Sequence, residues 1–462
     1  MRRNSRPSLD LSSANGTIAQ AAQDIGDHLL STAIWSDSRC TWCGPDVQGE
    51  TGQWTTVYRT VDESIYGGLS GIAIFLAELG AITGCQDYRD AAVASLRQVT
   101  HQLQARPQVT DHGFYSGLAG VVWAVQYVST VTGVSVALPT SFQDKVMKQN
   151  ANSLCDVDLL DGLAGTLSGL LLLKEFRDES DALNQCETIA RRIVSLANND
   201  SGVGMSWRSS AQTTEGHDLC GLAHGASGAA LSLLELNASL SARFGDSTDK
   251  QCESLQNKLL QVAFESFRYE RQWFCRKAGG WPDLRSNQEI GHTSESALSY
   301  PCYWCHGAAG IGLSRLRAYE LTGNSATLAE AGAALANCRQ HARKLLAIHA
   351  QGESDFDCNV SVCHGLGSVL DALLYSHQLL GIEDDRDLAV NLAISAINHA
   401  STTGTWQCGL INSGESPGLL LGISGFGLIL LRMYSNDAYQ PVGLPMGLAT
   451  IAHDLEMSKS HT

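Results

Sequence analysis

Long apolar runs, basic clusters and proline are what this chain of 462 residues has least of. No stretch approaches the about 18 consecutive apolar residues that would cross a bilayer, so no transmembrane segment is expected. The start, Met1-Arg2-Arg3, is followed by small and polar residues from Asn4 to Gln20, without the apolar stretch of a signal peptide. Charged residues make up only 17%, the net charge is −16, and Lys and Arg are scattered. That balance excludes a nucleic-acid partner, which needs a basic face. It speaks for solubility more than for any particular partner. Nine prolines in so long a chain, against abundant Leu and Ala, favour helix. The apolar share of 44% is enough for a large core and excludes a disordered chain. Fourteen cysteines without a secretion signal point to a reducing, cytoplasmic setting, with mostly free thiols and a few available for metal.

Glycine, by contrast, is plentiful and patterned. Gly-x-x-Gly followed by an apolar stretch occurs as Gly68-Leu-Ser-Gly71, Gly117-Leu-Ala-Gly120, Gly162-Leu-Ala-Gly165 and Gly225-Ala-Ser-Gly228. It returns as Gly307-Ala-Ala-Gly310, in broken form as Gly365-Leu-Gly-Ser368, and as Gly422-Ile-Ser-Gly425. The first glycines lie 45 to 82 residues apart, room for two helices per repeat. The stretches that follow, such as Leu167-Ser-Gly-Leu-Leu-Leu-Leu173, are apolar all round and must be buried on every side. Between them lie amphipathic segments, among them 87–104, 182–198, 250–267 and 325–346. Seven buried helices alternating with seven amphipathic ones predict an all-α fold, a double α/α toroid (α/α barrel) with the glycines at the inner-helix N-termini. An open solenoid is the structural rival. Residues 1–17 read as a flexible segment and 18–462 as one domain.

Three repeat loops carry Cys or His just before the glycine: Gly221-Leu-Ala-His224-Gly225, Tyr303-Trp-Cys305-His306-Gly307 and Val362-Cys363-His364-Gly365. Equivalent positions in a ring of repeats face one mouth, so these residues can converge. Cys305, Cys363 and His364 supply three ligands of the types Zn²⁺ prefers and leave the fourth position open, as catalytic zinc requires. Each cysteine alone would read as a small buried hydrophobe; the shared placement argues otherwise. Cys40-Thr-Trp-Cys43 and Cys302-Tyr-Trp-Cys305 could also be half knuckles or redox pairs, although neither sits in a βαβ context. The remaining cysteines have no such spacing and read as structural.

At these loops the chain resembles the LanC-like lanthionine cyclases, and most closely the C-terminal cyclase domain of class II lanthipeptide synthetases (LanM). The resemblance runs from about Ile18 to Leu448. It is carried by the segment from Ile65 to Ala77, by Gly221-Leu-Ala-His-Gly-Ala-Ser-Gly228, by Tyr269-Glu-Arg271 with Trp281-Pro-Asp-Leu-Arg285, by Trp304-Cys-His-Gly307, and by the segment from Pro417 to Gly425. The resemblance implies the double toroid, one zinc ion on Cys305, Cys363 and His364, and roles in proton transfer or site organisation for Asp158 and His224. From spacing alone Asp158 reads as a helix N-cap. His306 is expected to support the metal site from beside Cys305, and Tyr303 and Trp304 to shape the pocket. Two departures stand out. Ser368 replaces a repeat glycine, and Pro301 lies four residues before Cys305, where several relatives carry arginine.

The resemblance further implies an enzyme that forms thioether rings. Zinc would deprotonate a peptide cysteine, whose sulfur then adds to dehydroalanine or dehydrobutyrine. His224 would give or take the proton. A class II synthetase carries a dehydratase segment ahead of this domain and this sequence does not, so it reads as a free-standing cyclase or an excised domain. The expected partners are a dehydrated precursor peptide and a separate dehydratase. One alternative is a relative that binds glutathione or small thiols at zinc. Another is an (α/α)-barrel glycosidase using Asp158 and Asp161 as its two carboxylates, which leaves the Cys and His loops unexplained.

Overall fold

The computed structural model describes residues 14–50, 53–106, 112–148, 151, 156–173, 179–199, 202–209, 217–244, 250–285, 298–351, 358–409, 414–435 and 438–448. Helix α1 (Ala14–Thr32) opens the chain and is followed by two antiparallel hairpins. The first joins β1 (Ile34–Ser36) to β2 (Arg39–Thr41), and the second joins β3 (Cys43–Glu50) to β4 (Gln53–Thr60). Seven helices then start at the repeat motifs: α2 (Leu69–Thr83), α4 (Leu118–Thr132), α6 (Leu163–Leu173), α8 (Ala226–Phe244), α10 (Ala308–Thr322), α12 (Leu366–Leu380) and α14 (Ile423–Tyr434). Interleaved with them are α3 (Gln86–Ala105), α5 (Thr140–Met147), α7 (Glu179–Leu196), α9 (Lys250–Arg271), α11 (Ser325–Gln351) and α13 (Glu383–Thr403), and α15 (Pro445–Leu448) comes last.

The two kinds of helix differ as their sequences require. Every residue of α6 is buried, as are Leu69 to Gly80 of α2 and Ile423 to Arg432 of α14. Helices such as α3 and α9 bury one stripe and expose the other. The all-α expectation therefore holds, with seven motif-led helices among the described residues. The hairpins are the exception. They form because Trp54-Thr-Thr-Val-Tyr58 is rich in aromatic and β-branched residues, and because Asp37 accepts the left-handed φ of 53° that the first turn needs. The segment read as 1–17 falls mostly outside the described residues; from Ala14 onward it is helical.

The repeat glycines have a steric cause. A Cβ on the second glycine of the motif would overlap the carbonyl oxygen six residues back, that of Leu222 for Gly228 and of Trp304 for Gly310. The loop folds back onto the first helical turn, and only hydrogen leaves room. In the sixth repeat this duty moves one place: Gly367 lies against the carbonyls of Val360 and Ser361, which frees position 368 to be serine.

The residues group into two compact units. The first comprises Met1–Val109, Ala124–Pro139 and Ala342–Thr462; the second comprises Thr110–Trp123 and Thr140–His341. In the first, α2 packs on α3, α12 on α13, and α14 on α1, α2 and α12. In the second, α8 packs on α9, α6 on α7, and α8 also on α6 and α10. No helix among the described residues is long and apolar enough to cross a membrane.

Candidate active site

Within each unit, backbone hydrogen bonds lace the repeat loops together. In the first, Cys363 N–H donates to Leu420 O at 2.8 Å, and Leu420 N–H to Tyr66 O at 2.7 Å. In the second, Ala223 N–H donates to Cys305 O at 3.3 Å, and Leu159 N–H to Ala223 O at 2.8 Å. Tyr66, Ala223, Cys305, Cys363 and Leu420 all lie two places before their repeat glycine, and Leu159 three, so the lacing joins equivalent positions except at Leu159. The loops are thereby fixed before any ligand arrives.

The second unit holds Asp158, His224, Cys305 and His306. Asp158 is buried and divides its two oxygens. Oδ1 accepts from the amides of Asp161 at 2.7 Å and Gly162 at 3.0 Å, just ahead of α6, while Oδ2 meets His224 Nδ1 at 2.9 Å. One oxygen thus braces the loop ahead of α6 and the other holds His224; the helix N-cap expected from spacing is not formed, because both amides precede Leu163, the first residue of the helix. Because a carboxylate only accepts, Nδ1 carries the hydrogen and Nε2 is left to exchange protons. Burial opposes charge on His224, but the hydrogen bond and charge of Asp158 outweigh it and raise the imidazole above its ordinary range.

His306 lies stacked near His224, with ring centroids 5.8 Å apart, and its Nδ1–H donates to Cys220 O at 3.3 Å. Burial, helped by the nearby Arg285 charge, lowers His306 to about 4. Two adjacent imidazoles are thus pushed in opposite directions. Trp304 is fully buried and meets the edge of Tyr115 at 5.2 Å.

The segments Tyr269–Arg271 and Trp281–Arg285, far from obvious partners in sequence, meet here. Trp281 Nε1–H donates to Glu270 O at 3.0 Å, and Asp283 pairs with Arg285 at 2.9 Å. Glu270 is fully buried, accepts from the amides of Gly221 at 2.8 Å and Ser227 at 3.0 Å, and pairs with buried Arg315 at 2.7 Å. It therefore clamps both ends of the loop that bears His224. Sequence reasoning missed Glu270 and Arg315, although Glu270 lies inside a segment that carried the resemblance.

The first unit holds Cys363 and His364. Tyr66 Oη–H donates to Cys363 Sγ at 2.9 Å, and His364 Nε2 meets Gly409 O at 2.9 Å. A carbonyl accepts only, so His364 carries its hydrogen on Nε2 and its lone pair on Nδ1. This is the arrangement of a metal-ligating histidine anchored through its far nitrogen. Cys363 and His364 are of the ligand types zinc prefers, and Cys305, of the same type, belongs to the other unit. Among the described residues no three His, Cys, Asp or Glu side chains form a ready-made metal cluster. Tyr66 was not singled out, yet it shares the loop position of Cys305 and Cys363, a register signal that could have found it.

Neither CxxC pair forms a disulfide. Cys40 is buried against Ala91 O while Cys43 is exposed, and Cys302 Sγ lies 3.5 Å from Cys338 Sγ. Burial pushes Cys40 and Cys408 up to about 12 and Cys220 well above the ordinary thiol range, so these three stay protonated and inert. Cys155 lies outside the described residues.

The lanthionine synthetase C-like protein family matches residues 59–443. The lacticin 481/lactococcin biosynthesis protein LcnDR2 of Lactococcus lactis subsp. lactis is 24% identical over 388 residues, which is 81% of this chain and 36% of that protein. The chain thus spans about a third of that relative's length. Among solved structures, nisin cyclase superposes with a TM-score of 0.56 at 19% identity, covering 86% of this chain and 94% of the cyclase. That likeness shows the fold, the α/α class read from the repeats. With the family matched over most of its length, the chain belongs to the lanthionine synthetase C-like proteins.

Proposed function

We propose that this protein closes thioether rings in a dehydrated precursor peptide, with zinc held by Cys305, Cys363 and His364. The observation that carries the reading is the Asp158–His224 pair. It gives a histidine of fixed tautomer and raised basicity, on a loop equivalent to those of the ligand cysteines. Bound at those three side chains, zinc would lower the pKa of a substrate cysteine thiol so that its sulfur is nucleophilic at neutral pH.

The proton balance is simple. The sulfur forms a bond to the β-carbon of dehydroalanine or dehydrobutyrine, and the π pair moves to the α-carbon side as an enolate. The proton shed by the thiol is replaced at the α-carbon, so no oxidant or reductant is needed. In this reading His224 Nε2 accepts the first proton and delivers the second, while Asp158 stabilises the imidazolium between these events. The alkene must come from a dehydratase, whether on a separate chain or a further domain. The likeness to class II synthetase cyclase domains and the absence of a spanning helix among the described residues support a cytoplasmic setting.

Incubating the purified protein with a dehydrated, cysteine-containing peptide and zinc tests the reading directly. Free thiol should disappear without change in peptide mass. Unchanged thiol content sinks the proposal. A mass increase equal to added glutathione would instead assign the site to small-thiol addition.

A further inference from the structure

We infer that Tyr66 is a positioning residue for the metal centre, whose phenol hydrogen bond orients and electronically tunes Cys363. The inference rests on the reading of Cys363 as a zinc ligand and adds a residue for which that reading assigns no part.

Three observations carry it. Tyr66 Oη lies 2.9 Å from Cys363 Sγ, although the two residues are 297 apart in sequence. A phenol brings a hydrogen to donate, and a thiolate is a far better acceptor than a thiol, so the contact suits the ligand form of the cysteine. Second, the backbone of the tyrosine is tied through Leu420 to that of the cysteine. The Tyr66 carbonyl accepts from Leu420 N–H at 2.7 Å, and Leu420 O accepts from Cys363 N–H at 2.8 Å, so backbone and side chain close one ring of contacts. Third, the neighbouring ligand is braced in the same way, with His364 Nε2 donating to Gly409 O at 2.9 Å. Outer partners of this kind fix ligand orientation and modulate how much charge the ligand donates. A hydrogen bond to Cys363 would withdraw density from its sulfur and leave more positive charge for the substrate thiol.

Tyr66→Phe keeps the ring and removes only the donor. Competition with a chromophoric chelator should show zinc affinity reduced by about 10- to 100-fold, the loss usual for an outer partner of a ligand. With Co²⁺ in place of zinc, the sulfur-to-metal charge-transfer band should shift, which loss of packing alone would not do. A ring-fluorinated tyrosine at position 66, a stronger donor of nearly the same shape, should move the band the opposite way; it also keeps the test valid if the phenylalanine variant folds poorly. Unchanged affinity and an unchanged band in either protein overturn the inference while zinc binding by the parent stands. If the parent protein and Cys363→Ala take up equally little zinc, the ligand reading fails, and the inference with it.

Discussion

The two units bury the same device, a glutamate–arginine pair between helices, but fasten different things with it. In the first unit Glu78 on α2 meets Arg432 on α14 at 2.7 Å and takes the Tyr127 hydroxyl at 2.8 Å. Arg432 also donates to the carbonyls of Gln440 at 3.0 Å and Gly447 at 2.8 Å. That pair therefore pins the segment leading to α15, far along the chain from Cys363 and His364. In the second unit Glu270 and Arg315 clamp the loop of His224, and the guanidinium lies 3.6 Å from the Phe267 ring centroid. One pair secures scaffold and the other secures chemistry. The site residues of the first unit depend instead on neutral partners, Tyr66 and the Gly409 carbonyl. The lesson is that a buried ion pair reports rigidity, and its hydrogen-bond partners tell what the rigidity serves.

The sharpest contrast between the units should appear in metal content. Cys363→Ala is expected to take zinc from about one per chain to near none, abolishing cyclisation. His224→Ala should keep the metal and slow ring closure by about 10²- to 10⁴-fold, the range for a lost acid–base group. Metal analysis beside a thiol-consumption assay separates the two. Full zinc retention in Cys363→Ala would remove that cysteine from the ligand set.

Next in size is the pair itself. Removing one partner of a buried ion pair strands the other, at a cost of about 3–5 kcal/mol, so Glu78→Ala and Glu270→Ala should lose similar stability in denaturant melts. Their catalysis should differ. Glu270→Ala also releases the amides of Gly221 and Ser227 and should slow cyclisation per folded molecule, whereas Glu78→Ala should not. Equal rates in the two variants would break the comparison drawn here.

Much of this was legible in advance. Seven apolar stretches behind seven glycine motifs dictate seven buried helices, because no other placement removes so much apolar surface from water. The shared register of Cys305 and Cys363, each two places before its repeat glycine, was readable for the same reason, as was that of His224, His306 and His364, each one place before. What lay hidden is pairwise chemistry across long sequence gaps. Nothing in the spacing of Glu270 and Arg315 says that they meet, nor that Asp158 braces a loop with one oxygen and a histidine with the other. The hairpins after α1 were missed because a helix-period reading has no place for a short alternating stretch.

The division of labour within Asp158 can itself be tested. Asp158→Asn keeps an oxygen for the amides of Asp161 and Gly162 but turns an N–H towards His224 Nδ1, which favours the wrong tautomer. Cyclisation should fall about 10²-fold with little change in stability. Asp158→Ala should fall as far and in addition lose about 1 kcal/mol for the lost bonds to the loop amides. If the asparagine variant were as unstable as the alanine one, the loop would not rest on a retained oxygen.

The smallest effect belongs to the first unit, where His28 on α1 meets Glu415 at 2.8 Å. The hydrogen bond it donates to Glu415 raises His28 against the opposing effect of burial. Burial works against charge on Glu415 too, but the bonds from His28 and the Trp406 amide lower it on balance. The signs then define a window. A raised histidine contributes its full stabilisation below its ordinary 6.5 and loses it as pH rises through the higher folded value. A lowered glutamate contributes above its ordinary 4.5 and loses it as pH falls through the lower folded value. The pair is strongest between the two. With the histidine side chain 42% exposed, screening holds the gain below about 1 kcal/mol. His28→Gln should therefore cost more stability near about pH 5.5 than near about pH 8.5 in parallel denaturant melts. Glu415 lies beside Ser416, whose amide donates to Cys408 Sγ at 3.0 Å, and Gly409 next to that cysteine receives His364. A fall in zinc affinity on His28→Gln would show this exposed pair reaching the metal ligand through that segment, and would narrow the contrast between the units.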